Sequence, residues 1–235
     1  TTDAVVDGKG NDARFGNLWA LVTDPTGGLL ALDGLFLRKV APDGTVTTLR
    51  SYSWLGTMNA AAMDADGTLF FAAGCELWSA SPTGTLSHIS GASWYCVSPP
   101  ALQRDPTQIE RIAVSPDGSL FVFSLTRLSH MTKAGTDLAS WGDLFPYQSS
   151  RPPIAFDSRA RAYVASSAGV MRISASDVRE LVLPWPEYAD TQSAVHFCYS
   201  ELTGFRGPAD WAFDRDDKLH AMCARRLYRI EVSAP

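Results

Sequence analysis

The chain has 235 residues, a net charge of −5 and only four lysines, Lys9, Lys39, Lys133 and Lys218. Its arginines are scattered and form no basic run, which argues against nucleic acid or an anionic membrane surface as partner. An apolar fraction of 46% supports a packed core. The longest stretch free of Asp, Glu, Lys and Arg, Leu77–Gln103, is rich in Ser, Thr, Gly and Pro, so no membrane insertion is expected from it.

In chain order, the first patterned passage is VTDPTGGLLALDGLFLRKVAPDGTVTTL, from Val22 to Leu49. Similar passages begin at Ala62, Ala113, Ala155 and Ala212, and their first turn residues, Asp24, Asp64, Ser115, Asp157 and Asp214, are 40, 51, 42 and 57 residues apart. A period of this size is the mark of a repeat architecture. Within each copy, short runs of Val, Leu, Phe and Ala alternate with tight polar turns, which predicts strand, hairpin, strand, hairpin, strand, hairpin, strand. Helix signals are nearly absent. A four-stranded unit at this spacing is a β-propeller blade, whose two faces are buried only by its neighbours.

The expected fold is therefore all-β: a five-bladed β-propeller of four-stranded antiparallel blades forming a single domain, at about 18–54, 58–94, 109–141, 153–185 and 208–235. The last copy offers three strands, and Thr1–Val6 is expected to supply the fourth, closing the ring through the last blade.

The passage Ala13–Leu49, with its D-P-x-G turn followed by LRKVAPDGTVTTL, resembles an NHL repeat. The second and third copies resemble it less closely, and the last two replace the glycine turn by DSRAR and DRDDK. NHL-type propellers usually have six blades, so five departs from that pattern. In length and blade number the chain is similar to animal lectins of the tachylectin-2 kind. The expected function is recognition of a carbohydrate or glycoconjugate through one loop-rich face; the alternatives are a metal-assisted lyase or hydrolase of the lactonase-like sort and a protein-interaction platform. The enzyme class holds a metal through His, Glu or Asp around the axis. Here His88, His130, His196 and His220 form no equivalent set, so no metal and no cofactor are expected.

In such a blade the fourth-to-first connectors and the second-to-third turns share one face. The connectors Ser53–Met58, Ser93–Glu110, Trp141–Pro153 and Pro184–Asp210 are long and irregular, which places the expected site on that face. Cys75, Cys96, Cys198 and Cys223 fall there too, in two local pairs, so disulfides Cys75–Cys96 and Cys198–Cys223 and a secreted or periplasmic setting are expected. Four unpaired buried thiols are the alternative.

Tryptophan recurs where the fourth strand ends, at Trp54, Trp94, Trp141 and Trp185, with Tyr95, Phe145, Tyr147, Tyr188, Phe197 and Tyr199 nearby. Aromatic faces at a rim can stack on sugar rings, and the indole N–H can donate. The same tryptophans could instead pack between blades. The ligand-binding set expected from the sequence is Trp54, Trp94, Tyr95, Trp141, Tyr147, Trp185, Tyr188, His196 and Tyr199, for a small-molecule or glycan ligand. Near the axis, Arg111 and Asp210 stand where other copies carry Ala20, Ala60 and Pro153. They either pair structurally or mark a polar ligand.

Overall fold

A computed structural model describes residues 5–55, 58–73, 76–89, 109–124, 127–142, 153–166, 168–174, 176–184, 210–223 and 226–230. All of its extended structure falls into five antiparallel sheets. The first contains β1 (Gly8–Lys9), β2 (Leu18–Thr23), β3 (Leu29–Asp33), β4 (Phe36–Val40) and β5 (Thr45–Ser51). The second contains β6 (Met58–Met63), β7 (Leu69–Ala73), β8 (Glu76–Ala80) and β9 (Leu86–His88). The third is β10 (Ile109–Val114), β11 (Leu120–Ser124), β12 (Arg127–Met131) and β13 (Asp137–Trp141). The fourth is β14 (Ile154–Phe156), β15 (Ala162–Ala165), β16 (Gly169–Ile173) and β17 (Arg179–Pro184). Among the described residues the fifth has three strands, β18 (Asp210–Phe213), β19 (Leu219–Cys223) and β20 (Arg226–Ile230). Strands β2–β5 and each of the other four sheets form a meander of consecutive strands, as the turn spacing predicts, while β1 pairs with β5.

One turn geometry repeats at the first hairpin of every sheet. The turn residue's amide reaches the carbonyl four residues on, and its carbonyl accepts from the amide three residues on. In the first sheet these are Asp24 N to Gly28 O at 2.8 Å and Gly27 N to Asp24 O at 2.9 Å. The fourth position is left-handed throughout: Gly27 (φ 95°), Gly67 (83°) and Gly118 (85°), then Ala160 (59°) and Asp217 (56°). The sequences DSRAR and DRDDK thus make the same turn without glycine. Ala160 carries a steric strain there that glycine would not.

Three apolar clusters lie between consecutive sheets. Leu32, Leu37 and Tyr52 of the first meet Met58, Leu69 and Phe71 of the second. Phe70, Ala72 and Leu77 of the second meet Ile109, Ile112 and Leu120 of the third. Phe123, Leu128 and Trp141 of the third join Tyr163, Val164 and Ile173 of the fourth, and Trp211 and Leu219 of the fifth. Neighbouring sheets cover each other's faces, as a propeller requires.

The closing strand expected at Thr1–Val6 falls largely outside the described residues. Residues 1–4 lie outside the described set, but Val6 exchanges both backbone hydrogen bonds with Arg14, at 3.1 and 3.0 Å. Gly8 and Lys9 then pair with Val46 and Thr45 on the outer edge of the first sheet, not the last. The reason is the fully buried Arg38. Its guanidinium donates to the carbonyls of Arg14 (2.5 Å) and Val6 (2.7 Å), to Asp7 (3.0 Å) and to the buried Asp33 (3.1 Å). Phe15 lies over it, 4.7 Å from ring centre to guanidinium carbon. A buried cation needs such partners, and the N-terminal segment supplies most of them.

Several surface carboxylates stay ionised well below their ordinary range. A hydrogen bond from Lys39 brings Asp24 down to about 2, and one from Lys9 brings Asp43 to about 2. The amide of Lys218, followed by His220, brings Asp214 to about 2. Depressed carboxylates contribute stability that is complete above their unfolded value of 3.8 and is lost as pH falls through about 2. We expect the melting temperature contributed by these three groups to be flat at neutral pH and to fall between about pH 4 and pH 2. Thermal melts of Asp24→Asn across that window should lose part of the slope. An unchanged slope would remove Asp24 from this account.

Candidate functional site

Four of the five sheets line a shared cavity of about 400 Å³ at the ends of their first strands. In each of these sheets the residue just before the first turn contributes a side chain to it: Met63, Val114, Phe156 and Phe213. Hairpin geometry places these positions in register, because all four strands end at the same kind of turn. Trp211, Asp64 and Ser115 also line it. Asp64 is ion-paired with Lys133, whose ammonium is held above its ordinary range first by that hydrogen bond. Lys133 also reaches Asp66 at 3.3 Å. The cavity thus has apolar walls and one neutralised ion pair beside it.

This cavity lies at the first-turn ends, opposite the face that the long connectors indicated. Arg111 and Asp210, the axial residues singled out by sequence, lie four residues before the turn. The signal three residues further on was Met63, Val114, Phe156 and Phe213, bulky apolar residues at an axis where close approach favours small ones. Arg111 lies partly buried on β10, at a register shift between Ile109 and Arg111, and has polar partners. Asp210 pairs through its backbone with Met222.

Of the expected aromatic set, two members are described. Trp141 is 8% exposed and belongs to the cluster between the third and fourth sheets, which is the packing role. Trp54 is 65% exposed and meets Trp78 edge-on at 5.4 Å, and Trp78 in turn lies 4.8 Å from the His88 ring. Trp94, Tyr95, Tyr147, Trp185, Tyr188, His196 and Tyr199 lie outside the described residues. So do Cys75, Cys96 and Cys198, and of Cys223 only the backbone is described, paired with Arg226. The disulfide expectation therefore falls outside the described residues.

The turn ends also hold a polar chain that sequence spacing could not reveal. His130 is buried under Phe121, with ring centroids 4.4 Å apart. Its Nδ1 is 2.7 Å from Asp177 on the fourth sheet, and its Nε2 is 2.8 Å from Ser119 Oγ. The Ser119 hydroxyl donates to Asp117 at 2.6 Å. The Asp117 carboxyl, though raised by burial, is brought below its ordinary value by Ser119 and neighbouring groups. The chain joins the third and fourth sheets by hydrogen bonds where apolar contact ends. Asp177 occupies the left-handed turn position (φ 62°) that glycine holds in the first three sheets. Among the described residues, no three of His, Cys, Asp and Glu gather as a metal-ligand group, and no helix is long and apolar enough to cross a membrane.

No family model and no curated protein matches the sequence. Solved structures do match the fold. Virginiamycin B lyase from Staphylococcus aureus aligns at 15% identity and a TM-score of 0.58, over 91% of this chain and 66% of that one. A streptogramin B lyase aligns at 14% and 0.58, over 92% and 65%. A gluconolactonase from Xanthomonas campestris aligns at 14% and 0.57, over 92% and 72%. The chain spans just under two thirds of the length of these lyases. Together with the stacked four-stranded sheets, the likeness defines the class: this is an all-β protein with the β-propeller fold.

Proposed function

We propose that this propeller is of the enzyme type and binds a small, largely apolar organic molecule in its axial cavity. One observation carries the reading. A space of about 400 Å³ is walled from four sheets by Met63, Val114, Phe156 and Phe213, with Asp64 and Ser115 among its lining residues. That size and that mixture of walls suit a small-molecule site. The lyase and lactonase names among the structural neighbours favour a compact cyclic substrate, such as a lactone, over an extended glycan. Fold likeness at this identity does not carry the chemistry, so the cavity bears the argument.

Trp211 lines the cavity and reports on it. Titration with a panel of lactones is expected to change tryptophan fluorescence saturably. Ala65 lines the cavity and is exposed, so Ala65→Trp should fill part of the space without touching the core, weakening binding at least about tenfold. Unchanged affinity in that variant, or no saturable signal from any lactone, would end the proposal. A second reading, glycan binding at the rim, rests on the exposed Trp54 beside Trp78. A signal from sugars alone, abolished by Trp54→Ala, would favour it instead.

A further inference from the structure

The two ends of the row of sheets are not finished alike. Counting from the first turn residue, positions six and three before it and five after it point toward the preceding sheet. In later sheets the described ones are buried, apart from the half-buried Ala61: Met58 and Ile109 at 0%, Ile112 at 4%, Ile154 and Trp211 at 5%, and Leu69, Leu120, Ala162 and Leu219 at 0–3%. Their counterparts in the first sheet are Leu18, Leu21 and Leu29, exposed by 45%, 53% and 37%. The register explains why they form one patch. Leu21 is paired with Ala31 and Leu18 with Asp33, so all three leucines project from the same face.

The outer half of this face is already occupied. Arg38, directly across from Ala31, lies beneath Phe15 and the Val6–Arg14 segment. Equivalent positions in the second, third and fourth sheets are Trp78, Ser129 and Met171, and Trp78 is met edge-on by Trp54. The N-terminal segment therefore caps half of the face and leaves an apolar strip of three leucines along the axis side.

At the other end, two described positions on the opposite face of the fifth sheet are less covered than their counterparts. The position six after the turn residue is Phe70, Phe121 and Tyr163 in the middle sheets, 1–3% exposed and packed toward the following sheet. In the fifth sheet it is His220, whose side chain is 27% exposed, and the neighbouring Ala212 is exposed where its counterpart Ala155 is buried. The chain thus presents at one end the face that, between every adjacent pair of its own sheets, receives the kind of face presented at its other end.

We propose that the Leu18–Leu21–Leu29 strip is an interaction surface for a second copy of this chain, taking the Ala212–His220 face of its fifth sheet head to tail. The mate is chosen by continuity: each internal junction already pairs these two faces. A heterologous contact of this kind continues until a ring closes.

The test is light scattering after size exclusion, across a dilution series, on the full chain. The expected result is a mass of at least two copies that falls on dilution. Leu21→Asp and Leu29→Asp should each shift the population to one copy while circular dichroism stays unchanged. Leu138→Asp, an exposed leucine of β13 away from either end face, should leave it where it was. A single-copy mass at every concentration would overturn the proposal. So would assembly that survives both end-face substitutions, or that Leu138→Asp disrupts equally. Lactone titration is read separately at Ala65, so failure of either idea leaves the other standing.

Discussion

Replacing Arg38 by alanine is expected to destabilise the protein by about 3–5 kcal/mol, the cost of leaving a buried partner charge uncompensated. Asp33 is fully buried and keeps only the amides of Gly16 (2.9 Å) and Asn17 (2.7 Å) once the guanidinium is gone. The carbonyls of Val6 and Arg14 lose their donors together, and Phe15 loses the cation beneath it. For a chain of this length the melting temperature should fall by about 10 °C. The N-terminal segment should also become a protease target before the rest of the protein unfolds. A melting temperature within about 2 °C of the parent would mean that the network carries little. The substitution separates two accounts of the N-terminus: a strand closing the last sheet would be indifferent to Arg38.

Phe71→Ala should cost about 3–5 kcal/mol, the range for emptying a buried aromatic position. Phe71 is fully buried and stacks on Tyr52 with centroids 5.7 Å apart, so it joins the first sheet to the second. Its counterparts Val122 and Val164 are smaller, so the ring fills space here that a valine fills in the third and fourth sheets. Chemical denaturation should show the loss in the midpoint with little change in slope, since the exposed area of the unfolded chain barely alters. A loss under about 1 kcal/mol would show that Tyr52 and Leu32 collapse into the space.

Much of the fold is legible in the residues because hairpins are local. Asp24, Asp64 and Ser115 announce a turn within five residues, and strand lengths follow from the apolar runs between turns. The fourth and fifth copies keep the turn with Ala160 and Asp217 in place of glycine, so the polar turn residue at its start is the more dependable sign. The site was less legible. Its cavity is built from Met63, Val114, Phe156 and Phe213, each an ordinary apolar strand residue, and only their common register around one axis makes a wall. Trp141 shows the same limit in reverse: an indole at the end of a fourth strand looks the same in sequence whether it faces a ligand or a neighbouring sheet.

By itself the sequence determined the five repeats, their meander of strands and the all-β class, because these depend on turn chemistry and on alternation over a few residues. Only the tertiary structure decided where the N-terminal segment goes, which faces remain open and where the cavity lies. Each of those depends on which buried group must be satisfied and which apolar face must be covered, and both are settled between residues far apart in the chain. Arg38 is the plainest case: one cation that cannot be left alone draws Val6, Asp7 and Arg14 to the first sheet.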